Sequence, residues 1–233
     1  MLRSIKLGEA DRIVTFLTEG QGKVRGVAKG VRRPGSRFGA RLEPTSHVAL
    51  QLYEGRNLDV ITQAETIDPF NARLGLDYER YTAGTVMLET AERLVTEDKE
   101  PAVQQFLLLV GGLRAMSAGE HPAKQVLDSY LLRSLSVAGY APSFDHCVQC
   151  GDEGPHRFFN PSAGGVMCAN DRLPGSATPA PETVIALAAL LVGDWPIVHA
   201  TDPRHLREAS NLVSVYLAWH LERGLRSMAY VER

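Results

Sequence analysis

Residues 12–29 read RIVTFLTEGQGKVRGVAK, and this stretch decides the fold. Ile13, Val14, Thr15, Phe16 and Thr18 are β-branched or aromatic, types that suit a pleated, half-buried surface. Glu19-Gly20-Gln21-Gly22 is a turn sequence, and Lys23–Lys29 resumes an extended pattern, so the stretch predicts a β-hairpin. Alternate residues of a strand share a face: Lys23, Arg25 and Val27 point together, and Val24 and Gly26 face the other way. A second strand pair follows. His47–Tyr53 places Val48, Leu50 and Leu52 at period two, Glu54-Gly55 turns the chain, and Leu58–Ile67 alternates through Leu58, Val60, Thr62 and Ala64.

Between the two pairs lies Gly30–Arg41, rich in Gly and Pro, basic, and without periodicity. Short antiparallel strands around one long basic loop predict a small closed barrel. The OB-fold is a common nucleic-acid-binding version, and an SH3-like barrel gives much the same pattern.

From about residue 78 the period changes to 3.6. Gly84, Met87, Leu88, Ala91, Leu94 and Val95 share one helix face. Pro101 sits where a first helical turn tolerates it, ahead of Val103, Phe106, Leu107, Val110 and Leu113. Leu127, Tyr130, Leu131 and Leu135 form a third apolar stripe, which ends at Gly139. Pro142–Pro179 breaks the pattern. It returns at Val184, Leu187, Leu190 and Leu191, and again from Leu206 to Leu221. The expected fold class is therefore α+β and multidomain. A β-barrel domain at 1–70 precedes an α-helical domain at 71–233, which carries a zinc-ribbon-like insertion at about 143–175.

Charge divides along the same line. The net charge of -2 hides a basic module: residues 1–42 hold ten Lys/Arg against three acidic residues, and the remainder is acidic. Phosphate binding needs several cations within reach of a repeating anionic backbone. Lys23, Arg25, Lys29, Arg32, Arg33, Arg37 and Arg41 are the candidates, on the hairpin and its loop. Phe16, Phe38 and Tyr53 are the aromatic residues early enough to stack bases beside them. Apolar runs such as Phe106–Val110 and Ala186–Val192 fall far short of a membrane span, and the N-terminus lacks a signal peptide's apolar core. A cytoplasmic location is the expectation. P-loop and G-x-G-x-x-G signatures are absent, and no catalytic residue is assigned.

Three cysteines cannot all pair as disulfides. Cys147-x2-Cys150-x17-Cys168-x2-Asp171 fits the two-knuckle C-x2-C…C-x2-C template, with Asp171 where the fourth Cys would stand. Zinc is the expected metal. His156 is the rival fourth ligand, with His146 and Asp152 as weaker options, and a catalytic zinc lacks a general base nearby. On the residues alone, an RNA-binding or transcription factor and a metal-dependent hydrolase remain as alternatives.

The sequence also resembles the RecO family of bacterial DNA repair proteins. The resemblance is carried by Gly8-Glu9-Ala10-Asp11-Arg12-Ile13-Val14, by Gly22-Lys23, by Val27–Arg33 and by Ser36–Pro44. Gln63-Ala64-Glu65 extends it, as do Gly139-Tyr140-Ala141-Pro142 ahead of the first knuckle and Ser162-Ala163-Gly164-Gly165 before Cys168. It implies an OB-fold, a helical bundle and a zinc ribbon. It further implies a non-enzymatic, nucleoid-associated mediator that binds single- and double-stranded DNA and anneals strands coated by single-stranded-DNA-binding protein (SSB). With RecR, such a protein helps load the RecA recombinase. The acidic SSB tail ends in an aromatic residue and needs an apolar pocket beside cations. Arg204, Arg207, Arg223 and Arg226 on the final helical stretch are the candidates for that contact. Asp171 in place of cysteine and a first strand beginning almost at Met1 depart from the family pattern.

Overall fold

The computed structural model describes residues 1–221 and 224–231. The chain forms two compact units, residues 1–120 and 121–233.

The first unit opens with five strands: β1 (Arg3–Leu7), β2 (Asp11–Thr18), β3 (Gly22–Ala28), β4 (His47–Tyr53) and β5 (Asp59–Asp68). Their order in the sheet is β1-β2-β3-β5-β4, with β3 and β5 parallel and the other neighbours antiparallel. This is a partly open Greek-key barrel of the OB type. Closure is less complete than the sequence leads one to expect, because β1 and β4 do not form a ladder. Their seam is bridged just ahead of both strands, where Thr45 N donates to Met1 O (3.2 Å) and the Met1 amino group to Ser46 O (2.8 Å). Register shifts at His47/Val48 and Gln51/Leu52 leave Ile67 and Thr62 of β5 as extra residues, so the β4–β5 ladder is irregular. Inside the sheet, Val14, Phe16, Ala28, Phe38, Leu42 and Ile61 form the core.

Helices α1 (Phe70–Leu74), α2 (Tyr78–Leu94) and α3 (Val103–Ala118) complete this unit. The Asp77 side chain caps α2 by accepting the Arg80 N–H (3.1 Å). The face expected to be apolar, including Gly84, Met87, Leu88 and Ala91, is buried. Pro101 lies outside α3, one residue before its Ala102 N-cap, and so does not occupy the first turn. Gly22 shows how closely the parts meet: a Cβ there would lie 1.7 Å from the Glu100 carbonyl oxygen. Beside the seam, a cavity of about 790 Å³ is lined by Leu2, Phe16, His47, Phe70, Phe106 and Leu113 among others.

The second unit comprises α4 (Ala123–Val137), strands β6 (Phe158–Asn160) and β7 (Gly165–Met167), then α5 (Pro181–Val192), α6 (Trp195–Ala200) and α7 (Pro203–His220). α4, α5 and α7 pack against one another around Leu131, Leu135, Leu187, Leu190, Val213 and Leu217. Between α4 and α5 the chain makes a small two-stranded ribbon from β6 and β7. Phe159 seats that ribbon on the bundle, with its ring 5.9 Å from Tyr216 and 6.1 Å from Phe144. Short helix α6 is started by the Asp194 side chain, which accepts the Ile197 N–H, and α7 by Asp202, which accepts the Arg204 N–H. No helix among the described residues is long and apolar enough to cross a membrane.

Candidate nucleic-acid interface and metal centre

The basic segment after β3 is an ordered string of turns. Arg33 N donates to Gly30 O, Ser36 N to Arg33 O, Gly39 N to Ser36 O, Arg41 N to Phe38 O and Glu43 N to Ala40 O, all within 3.0–3.2 Å. Gly30 starts the run in the left-handed region (φ +67°), with its N–H bound by Asp11 Oδ1 at 2.7 Å. Phe38 points into the barrel core and pins the middle of the loop there. The cations are consequently left outside. Lys29, Arg32, Arg33, Arg37 and Arg41 are all exposed.

Local contacts hold some of these side chains in place. Arg32 donates to Gly8 O (3.3 Å) and Glu9 O (2.8 Å), Arg41 to Arg37 O (2.9 Å), and the Arg37 guanidinium lies 4.9 Å from the centre of the Phe38 ring. Among the described residues, Lys29, Arg33 and Arg37 have no acidic partner within ion-pair distance. Bound to carbonyls and rings, not to carboxylates, the loop keeps its positive charge available to an anion.

Lys23 and Arg25 on β3 stand apart from that loop. The Lys23 ammonium donates to Val95 O (2.8 Å) and Thr96 O (3.0 Å) and lies 3.5 Å from Asp98; its side chain is 15% exposed. Arg25 pairs with the same Asp98 at 3.1 Å. The sequence marks both as cations on one strand face, but it does not show that the end of α2 brings carbonyls and a carboxylate to meet them. Of the three aromatic residues considered for stacking, Phe16 and Phe38 are in the core and Tyr53 is exposed.

At the knuckles, Cys147, Cys150, Cys168 and Asp171 come together with their donor atoms within 4.8 Å of one another. Cys168 Sγ lies 3.2 Å from Asp171 Oδ2, Cys147 Sγ 3.5 Å from the same oxygen, and the Cys150 and Cys168 sulfurs are 3.9 Å apart. Those separations match the edges of a tetrahedron with metal–sulfur bonds near 2.3 Å. The first knuckle is closed by Gly151 N donating to Cys147 O (2.9 Å), with Gly151 left-handed at φ +79°. Backbone N–H groups of Cys150 and Cys168 draw the Cys147 thiol down to about 7. The Asp171 carboxyl is held below its ordinary value by the Cys150 and Cys168 thiols. His156 does not join the cluster, since its Nε2 meets Asp152 O at 2.8 Å, and His146 pairs with Asp145 at 3.0 Å. The four residues form a group that could hold one metal ion, with Asp171 placed where a fourth donor would stand.

On α7, Arg204 donates to His205 Nε2 (3.1 Å) and lies near Asp202, and Arg207 is exposed. Arg226 is exposed ahead of the short 3-10 turn Ser227–Tyr230, and Arg223 lies outside the described residues. Trp219 on α7 is 58% exposed, and Val215, one turn earlier, is 55% exposed. Both lie off the buried stripe of Val213, Tyr216 and Leu217, which packs on α4 and α5.

Comparison with known proteins identifies the family. Residues 1–70 match the family described as recombination protein O N terminal, and residues 75–229 the family described as recombination protein O C terminal. A protein of a Nocardioides species named DNA repair protein RecO is 72% identical, covering 100% of this chain and 97% of its own length. Proteins of the same name from Streptomyces avermitilis and Thermobifida fusca are 58% and 54% identical over 100% of this chain and 96% of their own. Matched in both halves and along its whole length, the chain belongs to the RecO family.

Proposed function

We propose that this protein is a non-enzymatic recombination mediator in DNA repair. It binds single- and double-stranded DNA, anneals complementary strands and, with RecR, helps load RecA onto SSB-coated DNA in the cytoplasm, at the nucleoid. One observation carries the reading: the barrel presents five exposed cations on a single ordered loop anchored by Phe38. Lys29, Arg32, Arg33, Arg37 and Arg41 would hold phosphates without regard to sequence, which allows two strands to be gathered and paired. Arg25, half-exposed on β3 apart from the loop, would add a further phosphate contact, and Lys23 supports the fold from within.

The metal we assign to Cys147, Cys150, Cys168 and Asp171 is zinc, on the basis of the sulfur-rich, closed donor set. Its contribution would be structural, tying the two knuckles together. On α7, Val215 and Trp219 offer apolar surface and Arg204 and Arg207 offer charge for the SSB tail, with Arg226 beyond the helix. Arg223 completes that candidate set by sequence.

Annealing of complementary strands, bare and SSB-coated, by the metal-loaded protein tests the reading. Arg32→Glu, Arg33→Glu and Arg37→Glu together should abolish annealing of both substrates. They should also flatten the salt dependence of binding by about one log–log unit per lost phosphate contact. Unchanged affinity and slope in the triple variant would remove the loop from the DNA surface.

A further inference from the structure

The knuckles bring together three thiols, and Asp171 stands where a fourth would complete a second pair. Three sulfurs close one bridge within the chain, so the outcome of oxidation is set by which two meet. Their surroundings differ. Cys150 is exposed, Cys168 is half-buried, and Cys147 is 2% exposed. Cys147 is held from two sides: its sulfur accepts the Cys168 N–H (3.3 Å) and lies 3.5 Å from Asp171 Oδ2. The Cys150 and Cys168 sulfurs are 3.9 Å apart, and a disulfide needs them at about 2.0 Å. A turn of the Cys150 side chain, which faces solvent, covers that difference.

We propose that Cys150 and Cys168 are a peroxide-reactive pair: Cys150 is oxidised, Cys168 resolves it, and the disulfide replaces the metal as the tie between the knuckles. With an ion bound all three sulfurs are thiolates, so access selects the one that reacts. The Cys150 sulfur attacks one oxygen of hydrogen peroxide; the S–O bond forms, the O–O bond breaks and hydroxide leaves. The Cys168 thiolate then attacks the Cys150 sulfur; the S–S bond forms, the S–O bond breaks and a second hydroxide leaves. Two thiolates give up two electrons, peroxide takes them, and solvent protons convert both hydroxides to water.

Disulfide sulfurs are no longer thiolate donors, so Cys147 and Asp171 remain, two donors of the four. The bridge encloses the 17 residues between Cys150 and Cys168, which include β6 and β7. The ribbon therefore stays cross-linked when the metal site is lost. Asp171 confines the chemistry to this one bridge, and the odd thiol, Cys147, is buried away from other chains. The pair is independent of the DNA-binding reading above and draws on the metal assignment for one thing, the release of the ion.

Titration of the full-length protein, as isolated, with hydrogen peroxide tests the pair. Free thiols, counted in denaturant, should fall from three per chain to one. Peptide mass mapping without reductant should join the Cys150 and Cys168 peptides. About one zinc per chain should pass to a chromophoric chelator in step with the bridge, and dithiothreitol with added zinc should reverse both changes. Hydrogen exchange over β6 and β7 should stay closer to the metal-loaded level than in protein stripped by chelator under reducing conditions. Cys168→Ser should stop at a sulfenic acid on Cys150 that dimedone traps; should that variant unfold, the peptide map of the parent protein decides alone. A bridge to Cys147, a bridge between chains, three thiols left intact, or a ribbon as loose as in the stripped protein would each overturn the pair. If the bridge forms in protein that never held zinc, the metal assignment fails and the pair stands.

Discussion

Single residues decide which charges can leave the protein. Lys23 and Arg33 look alike in the sequence, ten residues apart in one basic stretch. Lys23 is bound to Val95 O and Thr96 O, and Arg33 is solvated. Lys23→Ala should therefore destabilise the fold by about 1–3 kcal/mol, the usual scale of hydrogen bonds from a charged donor. Thermal unfolding would register this loss, with the DNA salt slope unchanged. Gly165 is a second such residue. At φ +154°, a Cβ there would lie 2.2 Å from Ser143 O. Gly165→Ala should cost about 1–3 kcal/mol of local strain and loosen metal retention, measured by chelator challenge. His47 responds to acid. Burial first, then the N-terminal charge and Arg114, hold its imidazole below the ordinary value, so the folded state binds fewer protons than the unfolded one. Its contribution is complete above about pH 6.5 and is lost as pH falls through that range. Melting temperature should fall between pH 7.5 and 5.5, and less steeply in His47→Gln.

At the scale of elements, the knuckles and ribbon form the segment with the least core of its own. β6 and β7 are three residues each, and Phe159, Val166 and Met167 supply most of their buried apolar surface. A metal joining residues 147–150 to residues 168–171 would add the cross-link that so short a sheet lacks. As isolated, the protein should carry about one zinc per chain, the stoichiometry of a single tetrahedral site. Cys147→Ser should release it, and Asp171→Ala should weaken retention more than His156→Ala, because His156 is engaged with Asp152 O. Metal content by mass spectrometry, with hydrogen exchange over residues 143–175, reads both effects. The template spacing alone left Asp171, His156, His146 and Asp152 open as fourth ligand. Which carboxylate or imidazole meets three sulfurs depends on how the two knuckles face each other, and that is a tertiary matter.

For the whole molecule, the division by family and the division by packing fall at different places. The barrel matches as residues 1–70, yet α1, α2 and α3 pack with it into one unit ending at residue 120. Lys23 reaches the end of α2, and β2 buries Thr15 and Leu17 against that layer. A fragment of residues 1–120 should unfold cooperatively with a melting temperature well above that of residues 1–70, by circular dichroism. We propose that DNA holding belongs to residues 1–70 and SSB recognition to residues 71–233, so the 1–120 fragment should bind bare DNA and fail to anneal SSB-coated strands.

Local rules were enough to read the β and helical regions, because periods of two and 3.6 residues are set by which side chains must leave water. They also sufficed for the basic character of residues 1–42 and the knuckle spacing, since charge and short motifs are properties of the chain itself. Other features depended on partners distant in sequence. β1 was legible only through the family resemblance, because its five largely exposed residues carry no alternation and form a strand by pairing with β2. The unpaired β1/β4 seam and the irregular register of β4 on β5 are announced by no residue pattern. Whether an arginine or lysine faces solvent, whether Phe38 stacks a base or fills a core, and whether Trp219 is covered were settled by which element arrived opposite it. Burial is a relation between segments, and only the folded chain brings those segments together.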